Sequence, residues 1–349
     1  MTGTIHYFCT ARHSYTIGYY AAFYAGPVGS ALRIIPYEAL ERMASFEPGS
    51  FVFTDFDRLS EAELERLGPL VAAIETNGGR ILNHPARAIG RYALLRMLHD
   101  RGVNAFNVYK LDEWEQVDRF PVFIRAEAGH DKPLTEPVEE RGALQRAVEK
   151  LKQSGADTGD LMIAEFGNAP DADGKYRKYA AFKVGDHIYA QHCFASPGWW
   201  VKFTTAERGP ERTAEHDRYV KENPHREGLE PIFAMANIDY GRADYCVVDG
   251  RVQIFEINTN PTVIQTPPGG EFDMTPYARL HDRALEGLLG MPSAGTAIPN
   301  PLLRTDKPPL DPLRMTDEIR RSYRYLEAQR KARAGSGNRQ APRAPGDDR

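Results

Sequence analysis

Cysteine is scarce in this chain of 349 residues. Its three cysteines, Cys9, Cys193 and Cys246, show no paired spacing, which argues against a disulfide framework and against a cysteine-based zinc site. The sequence also lacks an uninterrupted apolar run long enough to span a bilayer. Its first 20 residues contain no basic start followed by an apolar stretch, so we expect no secretory signal. We therefore predict a soluble protein of a reducing compartment, most simply the cytoplasm, without a membrane partner.

The sequence also has no excess of basic residues. Lys and Arg together number 44 and Asp and Glu 48, which gives a net charge of −4 and argues against a nucleic-acid partner. Hydrophobic residues make up 42% and charged residues 26%, as is ordinary for a globular protein. The length is sufficient for a large core and for two or three domains.

The first 80 residues alternate between strand and helix patterns. Short β-branched or aromatic runs predict strands over 5–9, 31–35, 50–54 and 80–82. Helices are predicted over 37–45 and 60–77, and Ser60 with Glu63 forms a capping-box pattern at the start of the second. This alternation predicts the α/β class, with a largely parallel sheet.

The rest of the chain mixes helices with antiparallel hairpins. We predict helices over 84–101, 139–154 and 229–237, strands over 120–126 and 161–166, and hairpins over 179–194 and 242–258. After about residue 290 proline and glycine become frequent, and a charged helix is predicted over 316–332. The low-complexity stretch 332–349 is predicted to be disordered.

The most informative segment is 241–262, which is rich in oxygen donors. Asp244, Glu256 and Asn258 lie there beside Arg242. Glu256 and Asn258 are two residues apart on a strand, so their side chains point to one face. Mg²⁺ prefers such oxygen ligands, completed by phosphate oxygens and water. The segment therefore predicts a magnesium site; the alternative is a polar hairpin end in which Arg242 only pairs with Glu256.

The turn of this hairpin decides whether Asp244 shares the face of Glu256. A two-residue turn would put the two carboxylates on opposite faces. We therefore predict a three-residue turn over 248–250 with a left-handed Gly250, which places Arg242 opposite Glu256. The apolar wall of that face would consist of Cys246, Val248 and Ile254.

The combined pattern R-x-D, turn, E-x-N-x-x-P resembles the ATP-grasp superfamily, most of all D-alanine–D-alanine ligase and the amino-acid ligases that extend peptides or protein tails. The resemblance extends from about His84 to Thr262. It implies that ATP and two Mg²⁺ ions are bound, with Mn²⁺ as a substitute. Arg242 would stabilise the oxyanion or the transferred phosphoryl group, as a catalytic residue. The implied metal ligands are Asp244, Glu256 and Asn258.

The resemblance also implies an organisation into three parts. Residues 1–83 would form an N-terminal α/β pre-ATP-grasp domain. Residues 84–290 would form the ATP-grasp domain, with the nucleotide site between two α+β subdomains. Residues 291–349 would be a C-terminal extension that is partly helical and then disordered.

Further positions resemble nucleotide contacts of the family. Arg125 and Arg91 stand where lysines that bind phosphate or nucleotide are common, and arginine keeps the charge; for Arg91 a plain surface position is equally open. Glu165 would contact the adenine amino group or the ribose, although a strand exit also explains it. The backbone of Phe166 and Gly167 would bind the adenine edge.

The remaining candidates concern phosphate and acceptor binding. Lys178 would replace a family arginine, with Lys183 as the alternative. The loop 127–133 contains one glycine, and its His130 and Lys132 either contact phosphate or are solvated. Lys202, with Trp199 and Trp200, either lines an acceptor pocket or belongs to aromatic packing under a loop. Asn260 and Thr262 are predicted substrate contacts.

The implied activity is that of an ATP-dependent carboxylate–amine ligase. Such an enzyme forms an amide or peptide-like bond through an acyl phosphate and releases ADP. Its substrates would be small-molecule or peptide carboxylates and amines. The alternatives are a kinase-like phosphotransferase that uses the same nucleotide site, and a non-catalytic ATP-binding regulatory protein.

Overall fold

The first sheet along the chain is parallel. The computed structural model describes residues 3–129, 132–155, 157–264, 266–269, 273–290 and 296–335. The elements of its N-terminal layer are β1 (Thr4–Cys9), α1 (Tyr15–Phe23), β2 (Leu32–Pro36), β3 (Ser45–Phe46), β4 (Gly49–Phe53), α2 (Glu61–Arg66), α3 (Gly68–Thr76) and β5 (Arg80–Leu82). Strands β2, β1, β4 and β5 pair in that order and all run parallel, so the predicted α/β class and parallel sheet are confirmed.

Two helix predictions in this layer need correction. The segment predicted as a helix over 37–45 is a short 3-10 helix, Tyr37–Arg42. The predicted helix over 60–77 is two helices that meet at Leu67. Pro69 explains the break, because its nitrogen cannot donate to the preceding turn. The capping box is present: the Ser60 N–H donates to the Glu63 carboxylate at 2.8 Å.

A small antiparallel sheet follows. Its elements are α4 (Arg91–Asp100), β6 (Val108–Lys110), β7 (Val122–Ala126), α5 (Arg141–Gln153) and β8 (Leu161–Glu165). The strand order is β6-β8-β7, and a cluster with Val122, Ile124 and Leu144 forms its core. Helix α4 begins seven residues later than predicted, because Pro85 takes part in a separate short turn over Pro85–Arg87.

A larger antiparallel sheet carries the predicted hairpins. Its elements are β9 (Tyr176–Val184), β10 (His187–Ser196), α6 (Pro210–Glu222), α7 (Arg226–Met235), β11 (Tyr240–Val248) and β12 (Arg251–Asn258). The strand order is β10-β9-β11-β12. The chain continues with α8 (Thr275–Glu286), β13 (Ile298–Pro299), which pairs with β3, and α9 (Pro312–Gly335).

The large sheet shares a core with the N-terminal layer. Ile5 and Tyr7 of β1 belong to one buried cluster with Phe182, Tyr240 and Leu285. The predicted C-terminal helix is present as α9 and packs against this layer; the Ile34 N–H donates to the hydroxyl of its Thr316 at 2.8 Å. The domain limits at residues 83 and 290 stay a prediction, and most of the stretch predicted as disordered lies outside the described residues. None of the described helices is long and apolar enough to cross a membrane.

Candidate nucleotide site

The β11–β12 hairpin has a two-residue turn. Val248 pairs with Arg251, and the intervening Asp249 and Gly250 have φ values of 50° and 75°. Positive φ at both central residues is the signature of a type I′ turn, which asparagine, aspartate and glycine favour. The predicted three-residue turn is therefore wrong.

A β-bulge brings the two carboxylates to one face instead. Tyr245 pairs with Ile254, but the next pair is Asp244 with Glu256, so Phe255 is the extra residue of β12. Asp244 and Glu256 lie directly across from each other, and the predicted shared face is present. Arg242 lies opposite Asn258 rather than Glu256, and Ile254, opposite Tyr245, belongs to the buried core instead of the predicted wall.

This face borders a pocket between the two antiparallel sheets. Most of the predicted site residues line it, namely Arg125, Glu165, Phe166, Gly167, Lys178, Lys202, Asp244 and Glu256. The apolar part of the lining consists of Leu95, Phe106, Phe123, Met162, Ala164, Trp199, Trp200, Val201 and Phe255. The pocket thus has an aromatic part and a charged part, as a site for a base and its phosphates requires.

Asp244 is buried, and both of its carboxylate oxygens contact cations. Arg242 donates from Nε to Oδ1 at 2.8 Å, and the Lys178 ammonium lies 2.6 Å from Oδ2. Burial opposes the charge, but Arg242 and Lys178 hold the pKa of the Asp244 carboxyl well below its usual range. Gln191 accepts from Arg242 Nη1 at 3.3 Å and donates to the Thr262 carbonyl at 3.4 Å, which brings Thr262 to the same corner.

Glu256 is paired with Arg91, the first residue of α4. The Arg91 Nη2 group donates to Glu256 Oε2. The guanidinium also donates to the carbonyls of Glu127 at 2.7 Å and Gly129 at 3.0 Å. The two charged side chains are only 9% and 11% exposed, so Arg91 is not a surface arginine. It connects α4, the loop after β7 and the carboxylate hairpin.

Among the described residues of β7 and the loop that follows it, one predicted cation reaches the pocket. Arg125 lies on β7 and lines the pocket, and its Nε donates to the Ala126 carbonyl at 3.2 Å. Lys132 pairs with Glu136 at the surface, where 57% of its side chain is exposed. His130 lies outside the described residues.

Glu165 ends β8 and serves the small sheet as well as the pocket wall. Its carboxylate accepts from the Asn107 N–H at 2.9 Å and from the Tyr109 hydroxyl at 3.0 Å. Burial and the bond to Glu165 raise the pKa of Tyr109 to about 12. The following Phe166 N–H donates to the Pro121 carbonyl at 2.9 Å. The strand-exit interpretation of Glu165 therefore holds alongside its position in the pocket.

Of the basic residues along β9, Lys178 lines the described pocket and Lys183 does not. Arg177, beside Lys178, points to the other side of the sheet. There it contacts Asp171 at 2.7 Å and Asp173 at 2.8 Å. Side chains alternate between faces along a strand, which explains why only one of these two neighbours reaches the pocket.

Trp199, Trp200 and Lys202 close the pocket from the loop after β10. The Trp199 ring lies 5.6 Å from Phe123 and 5.8 Å from Phe166, centroid to centroid. The Lys202 ammonium lies 4.7 Å above the Trp200 ring, and burial together with the nearby Lys178 lowers the pKa of Lys202. The loop therefore packs aromatically and also lines this pocket, and its contact with an acceptor stays a prediction.

The residues after β12 face the N-terminal layer. The Asn258 Oδ1 accepts from the Asn260 N–H at 2.8 Å. Asn260 itself is buried; its Oδ1 accepts from the Tyr7 hydroxyl at 2.7 Å, and its Nδ2 donates to Asp55 at 2.8 Å. Asn260 thus links the carboxylate hairpin to the parallel sheet, and its contact with a substrate stays a prediction.

Three aromatic residues of the pocket, Phe106, Phe123 and Phe255, are not predicted as site residues by any motif. Phe123 does have a usable signal, because it lies two residues before Arg125 on β7 and so shares its face. Phe255 reaches the pocket only because of the bulge, and the sequence pattern does not predict this bulge. Phe106 comes from a loop before β6, where no periodicity marks it.

The donor set suits a divalent cation that arrives together with phosphate. Within the part of the chain that the structure describes, no group of three or more His, Cys, Asp and Glu side chains is placed to hold a metal. Asp244 and Glu256 nevertheless offer two carboxylates on one face. Mg²⁺ is commonly held by one or two carboxylates, with phosphate oxygens and water completing the shell. The residues therefore fit Mg²⁺ as a companion of a polyphosphate.

Comparisons with known proteins show that the fold of this chain is similar to that of several solved structures. No model of a known protein family matches the sequence, and no curated protein matches it. The structure is similar to D-alanine–D-alanine ligase from Coxiella burnetii, at 13% identity and a TM-score of 0.46, over 94% of this chain and 100% of that chain.

Two further solved structures show a similar overlap. The macrocyclase MdnC bound with precursor peptide MdnA, from Microcystis aeruginosa MRC, is 13% identical with a TM-score of 0.44, over 82% of this chain and 99% of that chain. An ATP-grasp RimK domain protein from Sphaerobacter thermophilus is 13% identical with a TM-score of 0.45, over 82% of this chain and 100% of that chain.

Proposed function

We propose that this chain has the ATP-grasp fold and is an ATP-dependent ligase that joins a carboxylate to an amine. One observation carries the proposal. Two carboxylates, Asp244 and Glu256, lie across from each other on a bulged hairpin and border a pocket that also contains aromatic rings and basic side chains. The sequence pattern around them is the one that resembles the superfamily.

The pocket divides naturally into a base part and a phosphate part. Phe106, Phe123 and Trp199 offer apolar and aromatic surface for a nucleobase. Lys178 and Arg125 offer charge to phosphate oxygens, and arginine adds a planar fork that suits them.

Asp244 and Glu256, with Asn258 beside them, would hold Mg²⁺. The bound ions would neutralise negative charge on the phosphate oxygens. The chain's own contribution is to fix the ligands' direction. Asn258 is held by its bond to the Asn260 N–H, and Asp244 by Arg242.

The proposed reaction has two transfers. A substrate carboxylate oxygen forms a bond to the γ-phosphorus while the bond to ADP breaks, which gives an acyl phosphate. The amine nitrogen then attacks the acyl carbon, phosphate leaves with the C–O bond electrons, and the amine loses a proton to solvent. Arg242 would stabilise the charge that develops on the transferred group.

No protein nucleophile is needed for this chemistry. The three cysteines are buried, and burial raises the pKa of each thiol, so none has the character of an activated thiolate. Positioning and charge stabilisation by the pocket residues are sufficient.

ADP formation tests the proposal. We expect purified protein with ATP and Mg²⁺ to release ADP when a pool of amino acids, peptides or sugar acids supplies carboxylate and amine. Hydroxylamine in place of the amine should trap the acyl phosphate as a hydroxamate. Glu256→Gln should lose this activity on the order of 100-fold. Glu215→Gln should retain it, because Glu215 pairs with Arg177 and Arg212 outside the pocket.

Other outcomes separate the alternatives. ADP release with a phosphorylated alcohol and no hydroxamate would indicate a kinase-like phosphotransferase. Nucleotide binding without ADP release from any pool would indicate a non-catalytic ATP-binding protein.

A further inference from the structure

The carboxylates of the pocket are already covered by basic side chains. Arg242 and Lys178 contact the two oxygens of Asp244 at 2.8 Å and 2.6 Å. Arg91 contacts Glu256 through a guanidinium N–H. A metal ion that binds these carboxylates must take the place of a cation, or lie directly beside one.

Together with the arginines bound to its carboxylates, the pocket carries more positive than negative charge. Its lining contains three basic side chains, Arg125, Lys178 and Lys202, and three acidic ones, Glu165, Asp244 and Glu256. Arg91 and Arg242 contact the carboxylates from outside this lining and add two positive charges. As whole residues Asp244 and Glu256 are 1% and 8% exposed, so water screens these charges weakly. A bare divalent cation is repelled by such a site, whereas a polyphosphate is attracted.

We propose that Arg91 and Lys178 occupy the place of the divalent cation until a polyphosphate arrives, so that the site binds polyphosphate first and metal second. The inference rests on the proposed function, since it takes the phosphates of ATP as the incoming anion. The two side chains exchange a carboxylate oxygen for a phosphate oxygen, and this exchange opens Asp244 and Glu256 to the metal.

Arg91 is well placed for this exchange. Its guanidinium donates to the carbonyls of Glu127 and Gly129 at 2.7 Å and 3.0 Å, independently of Glu256. These bonds keep the group beside the loop after β7 when Glu256 is released. Arg91 thereby remains next to the cationic part of the pocket, where Arg125 also lies.

The experiment measures binding rather than turnover. Mn²⁺, which is visible by electron paramagnetic resonance, is titrated into the empty protein and into protein saturated with a non-hydrolysable ATP analogue. Calorimetry follows the analogue, and separately inorganic tripolyphosphate, without metal. We expect both anions to bind without metal, and Mn²⁺ to bind the loaded protein more than about tenfold more tightly than the empty protein.

Two variants make the assignment specific. Lys178→Met and Arg91→Met should each tighten Mn²⁺ binding to the empty protein, because a competing cation is gone, and weaken metal-free binding of the analogue. These changes have opposite signs, which a merely unfolded variant does not produce. Lys175→Met is the matched control, since Lys175 pairs with Glu207 outside the pocket lining, and it should change neither binding.

The outcomes distinguish this inference from the proposed function. Failure of the analogue to bind, with or without metal, would overturn the proposed function itself. An analogue that binds only with Mn²⁺, or Mn²⁺ that binds the empty and loaded proteins equally, would overturn the binding order and leave the nucleotide site standing. Variants that weaken both kinds of binding would likewise overturn the role of Arg91 and Lys178.

Discussion

At the scale of single residues, Arg242 connects the carboxylate hairpin to its surroundings. It bonds Asp244 at 2.8 Å on one side and Gln191 at 3.3 Å on the other, which fixes the direction of its guanidinium. A donor held in this way is already oriented when charge develops on a transferred group. We expect Arg242→Met to slow ADP formation on the order of 100-fold, measured as initial rate at saturating ATP.

A conservative replacement provides the control for Arg242. Arg242→Lys keeps the charge but loses the fork that spans Asp244 and Gln191, so it should recover only part of the rate. Affinity for the non-hydrolysable ATP analogue should change less than the rate in both variants. An equal loss in affinity and rate would assign Arg242 to nucleotide binding instead.

A second residue-scale effect concerns His281 in the shared core. Burial lowers the pKa of His281 from 6.5 to about 3, and its Nδ1 shares a hydrogen bond of 2.7 Å with the Tyr189 hydroxyl. Between these two pH values the unfolded chain binds the proton and the folded chain does not. The free energy of unfolding therefore falls as the pH is lowered below about 6.5, by ~2 kcal/mol at pH 5 from this residue alone.

Chemical denaturation at pH 7 and pH 5 measures this effect. His281→Gln does not titrate, so the stability difference between the two pH values should shrink by about 2 kcal/mol. An unchanged difference in the His281 variant would show that other groups govern the acid response.

Residue types at the site were predictable, but their partners were not. Carboxylates on two neighbouring strands and basic residues at fixed spacings are visible in the sequence, and most of them do line one pocket. The sequence does not reveal that Arg91 contacts Glu256, or that Asn260 bonds Tyr7 and Asp55. Such partners lie up to 253 residues apart along the chain, and only the packed fold decides them.

At the scale of secondary structure, the sequence pattern of the carboxylate hairpin predicts the shared face but not the backbone irregularity that produces it. Asp244 and Glu256 share a face only if one residue is added to the hairpin between them. A longer turn and a bulge satisfy this condition equally well. The Asp249-Gly250 pair favours a tight two-residue turn, so the extra residue is accommodated at Phe255. The bulge then supplies an aromatic side chain to the pocket wall, which a longer turn would not.

Helix α1 was not predicted because its sequence has no apolar period. Six of its nine residues are buried, and the half-buried residues of the remaining side, Tyr15, Tyr19 and Phe23, are aromatic. The helix packs against the sheet and against α9, so most of its surface needs small or apolar residues. A helix without a polar face lacks the alternation with polar residues by which a sequence reveals it.

Gly18 allows α1 and α9 to approach each other. A Cβ atom at Gly18 would lie 2.2 Å from the ring of Tyr323, which is itself buried. We expect Gly18→Ala to lower the free energy of unfolding by ~1–3 kcal/mol, because Tyr323 must leave its position. The double variant with Tyr323→Leu should recover part of this loss, and strict additivity in the denaturation midpoints would contradict the contact.

At the scale of the whole molecule, the large antiparallel sheet takes part in two cores. A buried cluster with Ala164 and Ala243 joins it to the small sheet. The large sheet is joined to the N-terminal layer through a cluster with Ile5, Phe182 and Tyr240. The small sheet has its own cluster around Val122, Ile124 and Leu144. The boundary near residue 83 that the resemblance implies stays a prediction, and across it the N-terminal layer and the large sheet share a buried core.

The position of the pocket between the two sheets predicts how a nucleotide stabilises the molecule. The pocket takes Phe166 and Gly167 from the end of β8 in the small sheet, and Asp244 and Glu256 from the large sheet. A ligand in the pocket therefore contacts both sheets. At one hundred times its dissociation constant, it should raise the free energy of the openings that break the site by ~2.7 kcal/mol.

Hydrogen exchange followed by mass spectrometry tests this last expectation. The ATP analogue should slow amide exchange in peptides that cover Leu161–Glu165 and Arg251–Asn258 together, because opening of either strand breaks the site. Exchange in Leu32–Pro36 should stay unchanged, since β2 packs against α9 on the far side of the N-terminal layer and does not line the pocket. Protection confined to one of the two sheets would mean that the ligand contacts a single sheet, and the proposed arrangement of base and phosphates across the pocket would be wrong.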